Sequence, residues 1–399
     1  MEFCVHGPFG HYFYPREITV RNFIDAAIRY IRESDIFLLI LCVASSVYGI
    51  ILISSVTRNT PGVDIYIQII SLVLGIALYV LFSFIDIDIL ADKSIVLFFF
   101  SVLFISTLFV WGVEGGTGNK AWLRFFGIGV QPAEVVKIPF TIIMAKMIVT
   151  GNERKTLNSP LSVLRIMLVF GAIFGLIIVS SADLGSALVY IFILLVMLFI
   201  GGLKLRWFAL GAGFIAALVP LAWNYFLTDR QIARILAPFD PARVDPTGQG
   251  ITWQANQSKM AISAGEFFGR GLYKGPMTQN GLIPMQRTDF ILSAAGEELG
   301  FVGCLLIIAL LVAIIIRCVY VGVKSNNLLG LLVCVGIASM LIVQTFENIG
   351  MCLGLSPVIG LTLPFFSYGG SSIVTNFAAM GIISGIKMRP KPIRFRNSR

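Results

Sequence analysis

Histidine is nearly absent: the 399 residues hold only His6 and His11, both near the N-terminus. That argues against a Ser-His-Asp triad or a histidine zinc centre in the body of the protein. Charge is scarce too, with Asp, Glu, Lys and Arg at 13% against 57% hydrophobic residues. No soluble globular domain of this length has that balance, and a helical protein with several membrane spans is the class that fits. The six cysteines show no metal-ligand spacing and lie mostly in or beside apolar stretches, as packing residues do. No low-complexity segment, internal repeat or dividing linker is visible.

What is present is a succession of ten apolar stretches, at residues 36–56, 65–85, 94–111, 133–150, 166–181, 184–203, 208–226, 290–316, 328–345 and 371–386. They predict an all-α integral membrane protein with about ten transmembrane helices. One membrane domain (36–388) is expected between an N-terminal tail (1–35) and a basic C-terminal tail (389–399). The first span is expected to act as a retained anchor without a cleavable signal peptide. With the N-terminus inside, inner loops and tails hold 18 Lys and Arg, whereas the short outer loops hold three: Arg58, Lys120 and Arg124. This is the positive-inside bias, with both termini cytoplasmic. The placement of the +9 net charge argues against a nucleic-acid footprint, and the run from Lys387 to Arg399 reads most simply as an inner-leaflet anchor, with a protein-docking tail as the lesser option.

The large outer loop 227–288, between predicted helices seven and eight, departs from the bias with seven Lys and Arg. Arg234, Lys259, Lys274 and Arg287 are among them, and they suit either lipid headgroups or an anionic ligand such as a lipid pyrophosphate. Where this loop meets the eighth span stands Asp289. An ionisable group at a membrane boundary is costly and is by default a candidate functional residue.

Other polar groups interrupt the apolar pattern. Glu134 and Lys137 open the fourth span three residues apart, on one helix face. They read as a structural ion pair or as the lining of a substrate cavity. Asp183 stands before the sixth span, either as a helix cap or as a cavity residue. Of Glu297 and Glu298, at least one is expected to face the bundle interior, and Glu347 and Asn348 to hydrogen-bond between helices. Gly115 to Leu123 reads as a loop returning to the interface, with Trp122 as an aromatic anchor or a substrate contact. Residues 356–372, broken by two prolines and three glycines, read as a re-entrant segment packed near the large loop. It ends at Gly370 and Ser371, where a helix start could receive an anion.

These stretches resemble the SEDS family (shape, elongation, division and sporulation), which includes RodA, FtsW and SpoVE. The similarity runs in order through Asn119–Leu123, Gln131–Lys137, Asp183–Leu188, Arg234–Pro241, Gln257–Ile262, Thr288–Ile291, Gly296–Gly300, Asn348–Met351 and Phe366–Ser372. It leans towards RodA-like members and covers the chain from about residue 36 to 388. The resemblance implies an inverting peptidoglycan glycosyltransferase in the bacterial cytoplasmic membrane. Such enzymes polymerise lipid II on the outer face, with a class B penicillin-binding protein in an elongation or division complex. It places the essential aspartate at Asp289, as base or metal ligand, and the paired charges at Glu134 and Lys137. A divalent cation, Mg or Mn, is a possible cofactor. A lipid flippase and a non-catalytic scaffold are the competing readings. The chain departs from the usual family pattern at Ala182, Gly281, Met285 and Arg287.

Overall fold

The computed structural model describes residues 28–59, 65–114, 120–125, 128–225 and 227–389. Most of the N-terminal tail, the basic tail from residue 390 and Gly115–Asn119 lie outside the described residues. The helices in the first half are α1 (Ile36–Val56), α2 (Ile65–Ser83), α3 (Ile87–Asp92), α4 (Ser94–Ser106) and α5 (Leu108–Trp111). A hairpin follows, β1 (Leu123–Phe125) with β2 (Ile128–Val130), pairing Leu123 with Val130. Next come α6 (Pro132–Glu153), α7 (Pro160–Ser181), α8 (Leu184–Ile200) and α9 (Leu205–Tyr225). The large loop carries α10 (Asp229–Leu236), α11 (Pro241–Val244), α12 (Trp253–Ala264) and α13 (Pro276–Gln279). Three long helices close the chain: α14 (Ile291–Lys324), α15 (Leu328–Cys352) and α16 (Gly370–Met388).

Among the described residues most of each predicted stretch lies in helix, with 94–111 divided between α4 and α5 and 290–316 broken at Gly300. Among the described residues seven helices are long and apolar enough to cross a membrane: α1, α2, the α4–α5 run, α7, α9, α14 and α15. α8 is apolar but shorter. α15 is the central element, with most of its residues buried, whereas none of the described residues of α9 is buried. α7 starts earlier than expected because Ser159 caps it, its side chain accepting the Ser162 N–H, and Pro160 takes the first helical position.

A charged layer closes the bundle at the end away from Asp289. Asp35, fully buried, caps α1 and pairs with Arg317 of α14 (2.8 Å) and Lys387 of α16 (3.5 Å). The Arg389 guanidinium donates to the carbonyls of Ser83 and Phe84 at the end of α2 (3.1 and 2.8 Å).

α14 is one continuous helix only from Phe301 onward. Gly300 takes φ 67°, ψ −162°, and breaks it. The freed groups are satisfied by loop 266–271: the N–H groups of Phe301 and Val302 donate to Glu266 and Phe267 carbonyls, and those of Arg270 and Gly271 donate to Glu297 and Glu298 carbonyls. A Cβ at Gly300 would lie 2.3 Å from Gly269 N and 2.6 Å from Phe267 O. Gly300→Ala is therefore expected to lower the unfolding midpoint of the detergent-purified protein, the strained φ alone costing roughly 1–3 kcal/mol. An unchanged midpoint would mean that the loop does not hold the break.

Candidate functional site

Asp289 ends a tight turn in which the Met285 carbonyl accepts the N–H groups of Thr288, Asp289 and Phe290 (3.1, 3.1 and 3.2 Å). Met285 itself takes φ 46°, a left-handed conformation uncommon outside glycine and asparagine. Three successive carbonyls are then tied to other elements. Arg287 O accepts Tyr368 N–H (2.8 Å), Thr288 O accepts the Ser367 hydroxyl (2.5 Å), and Asp289 O accepts the Asn348 amide (2.8 Å). Asn348 also donates to Leu361 O (2.7 Å). From α2, the buried Gln68 donates to Ser367 O (3.1 Å) and accepts Gly369 N–H (3.2 Å). The turn and the proline-broken segment after α15 are thus one hydrogen-bonded unit. The backbone that carries the Asp289 side chain is thereby fixed, the kind of preorganisation a reacting group needs.

The half-buried carboxylate of Asp289 looks onto Gly360, where a Cβ would stand 3.5 Å from Oδ2. Loss of hydration pushes its carboxyl up to about 6, against a hydrogen bond from Thr288 that lowers it and the charge of Asp183 that raises it further. Asp183 is the cap of α8, as one of the two sequence readings had it. Its Oδ1 accepts Ser186 N–H (3.0 Å), and Oδ2 accepts the Ser186 hydroxyl (2.7 Å) and the Gln131 amide (2.8 Å). The N–H of Gln131 in turn donates to Ser371 Oγ at the start of α16 (3.4 Å). Gly185 lies against the Ile359 carbonyl, 2.8 Å from where its Cβ would be. The two aspartates therefore flank the stretch around Ile359 and Gly360. Ala182 takes φ 51°, which a proline fixed near −65° could not adopt, so this departure matches the local backbone.

Glu134 and Lys137 pair with one another in the first turns of α6, exposed by only 5% and 0%. That burial favours the structural reading of the pair. Arg234 and Lys259 share a cavity of about 480 Å³ with Thr252, Gln254, Asn256 and Val358. Arg287 stands apart from it, over the Tyr368 ring at 5.9 Å. Lys274 does not join these cations: it lies exposed in the turn next to Tyr273, whose hydroxyl meets Ser54 Oγ of α1 (2.7 Å). Loop 266–271 is tied to the break in α14, which sets Lys274 apart from Arg234 and Lys259. Trp122 forms an isolated antiparallel bridge with Val113, and its ring lies against Gly129 of the hairpin.

Glu297 and Glu298 are both buried and hold the loop. Glu297 accepts the N–H groups of Met277 and Thr278 (2.8 Å each), and Glu298 accepts from Ser55 (2.8 Å) and Gln279 (2.9 Å). Gln68 and Gln131 were not singled out from sequence. The signal for Gln68 was an amide inside an apolar helix, which must find partners there.

A divalent cation was tested against this donor set. Among the described residues no cluster of three His, Cys, Asp or Glu side chains could hold one. Both Asp183 oxygens accept hydrogen bonds, so Asp289 would be the one carboxylate of the site open to such an ion. That fits a Mg²⁺ ion held jointly by one carboxylate and substrate phosphates.

Comparison with known proteins gives a consistent family. A model described as FTSW_RODA_SPOVE, cell cycle protein, matches residues 33–391. The probable peptidoglycan glycosyltransferase FtsW of Trichlorobacter lovleyi is 32% identical over 371 residues, covering 90% of this chain and 95% of the relative. The peptidoglycan glycosyltransferase MrdB of Escherichia coli K12 is 32% identical over 274 residues, covering 69% and 72%. Among solved structures, one from work on polymerization and crosslinking by a peptidoglycan synthase complex superposes with TM-score 0.75 at 30% identity, covering 89% of this chain and 97% of that one. The rod shape determining protein RodA of Thermus thermophilus superposes with TM-score 0.65 at 26% identity, covering 90% and 98%.

Proposed function

The chain belongs to the cell cycle protein family of FtsW, RodA and SpoVE, and we propose on that footing that Asp289 is the base of its glycan-polymerising reaction. The protein is a multi-pass membrane peptidoglycan glycosyltransferase. Its substrate is lipid II, used at the membrane face that carries Asp289. That face is extracytoplasmic, a reading supported by the distribution of Lys and Arg, with both termini cytoplasmic in a ten-span bacterial inner-membrane protein.

The observation that carries the assignment is the half-buried Asp289, fixed by three main-chain ties, with its carboxyl raised to about 6. Such a group is ionised at neutral pH yet basic enough to take a proton. The acceptor sugar hydroxyl gives its proton to Asp289 as its oxygen bonds to the donor's anomeric carbon. The bond from that carbon to the polyprenyl pyrophosphate breaks on the opposite face, inverting the centre. Pyrophosphate leaves with its charge already spread, so it needs cations more than an acid. Arg234 and Lys259 in the cavity, and Arg287 beside the base, supply them. In the alternative role Asp289 would hold a Mg²⁺ or Mn²⁺ ion in place of taking the proton, and that ion would supply charge neutralisation at the phosphates.

The partner proposed is a class B penicillin-binding protein in an elongation or division complex. Its support is the solved relative from a synthase complex that coordinates polymerization with crosslinking. The test is glycan polymerisation from purified lipid II by the solubilised protein, with and without that partner. Ladders are expected. Lipid II moved across vesicles without ladders would instead make the protein a transporter. Lys259→Ala is expected to raise KM for lipid II by about tenfold, as loss of one charge-assisted contact does. An unchanged KM would remove Lys259 from the clamp.

A further inference from the structure

Loop 266–271 does more than complete the hydrogen bonds of a broken helix. Its two aromatic residues point outward, Phe267 56% and Phe268 78% exposed, with ring centroids 5.0 Å apart. Phe267 stands 5.6 Å from the ring of Phe301, which is itself 54% exposed on the first turn of α14 after the break. Below Phe301 on the same helix, Val302, Leu305 and Leu306 are exposed as well. The loop tip thus continues an apolar helix surface that faces away from the bundle.

The depth of this tip follows from the helix itself. Arg317 lies in the charged layer with Asp35 and Lys387, which marks one edge of the hydrocarbon region. Phe301 is about 16 residues, or roughly 24 Å, along an unbroken helix from Arg317. A hydrocarbon core is about 30 Å thick, so Phe301 and the rings beside it fall a few ångström inside the opposite edge. Non-helical backbone at that depth survives only when its polar groups are satisfied. Here loop and break satisfy each other, through Phe301 N–H to Glu266 O (3.0 Å), Val302 N–H to Phe267 O (3.2 Å), Arg270 N–H to Glu297 O (3.0 Å) and Gly271 N–H to Glu298 O (2.9 Å). Glu297 and Glu298 extend the same tie to residues 275–279 with their side chains. These four bonds tie the loop to the break, and the exposed charges of Glu266 and Arg270 flank the two rings, which places the tip at the headgroup boundary.

We propose that Phe267 and Phe268 form a wedge seated in the bilayer leaflet on the Asp289 side, with lipid acyl chains and the glycerol region as its partner. The wedge sits on the broken segment Ile291–Leu299, at whose start Asp289 stands, so lipid contact sets the height of the acid relative to the membrane surface. This rests on the geometry of loop and helix and holds whether or not Asp289 is the base.

The test is a fluorescent label at the tip. Phe268→Cys in a background with Cys4→Ser and Cys304→Ser is labelled with nitrobenzoxadiazole and reconstituted in phosphatidylglycerol–phosphatidylethanolamine vesicles. Phe239→Cys, 79% exposed in the same large loop but away from the break in α14, is the comparison site. Lipids spin-labelled near the glycerol end are expected to quench the label at residue 268 roughly threefold more than the label at 239, and aqueous iodide to do the reverse, as for rings buried 5–10 Å at the headgroup boundary. Equal access of iodide to both labels would overturn the proposal. So would protection at residue 268 that arises only when a crosslinking partner is added, since the surface would then be a protein interface. Because Phe268 is so exposed, its replacement removes little packing, and a matched gel-filtration profile shows that the variant is folded.

Discussion

Asp289→Asn is expected to abolish glycan ladders, slowing polymerisation by at least about a hundredfold, the usual contribution of a positioned general base. The amide keeps the shape of the side chain, and the ties to Asn348, Ser367 and Tyr368 run through main-chain carbonyls of residues 287–289. The variant should therefore fold. The sign of its stability change follows from the carboxyl. Its value rises from 3.8 to about 6 on folding, so the penalty for burying the charge is absent below about 3.8 and complete above about 6. At neutral pH the neutral amide escapes that penalty, and the variant should be no less stable than the parent. Activity of the parent should rise with pH through about 6, because only the ionised carboxylate accepts a proton. Asp183→Asn removes a like charge and should move that rise to lower pH. Normal ladders from Asp289→Asn would exclude it as the base.

The sequence carried much of this because membranes simplify the code. The apolar stretches became mostly helix, since backbone in lipid has few other ways to satisfy itself. Asp289, Asp183 and the proline-broken segment stood out for the same reason: polar or irregular chain at membrane depth needs a cause. What sequence did not reveal was how these parts meet. Gln131 and Gln68 each join segments far apart in the chain, and an amide in an apolar stretch does not name its partner. Lys274 looked like Lys259 in composition, yet the break at Gly300 draws its loop towards α1 and leaves it outside the cavity. That break was invisible in the apolar pattern, because Gly300 lies in a run that reads as helix on either side.

Lys137→Met is expected to be the most destabilising of the conservative changes. It leaves the Glu134 carboxylate buried without its cation, a loss of about 3–5 kcal/mol where a buried pair is broken on one side. Adding Glu134→Gln should recover most of that loss, because two neutral groups of similar volume need no counter-charge. The exchange Glu134→Lys with Lys137→Glu tests what the pair is for. Glu134 sits in the first turn of α6, where the free N–H groups favour a negative charge. Reversal should therefore cost roughly 0.3–1 kcal/mol even with the ion pair intact. With both side chains closed to solvent, the exchanged protein should regain thermal stability and ladder formation together. Stability regained without ladders would show instead that the lysine or the glutamate meets the substrate, and that α6 opens during the reaction cycle to let it do so.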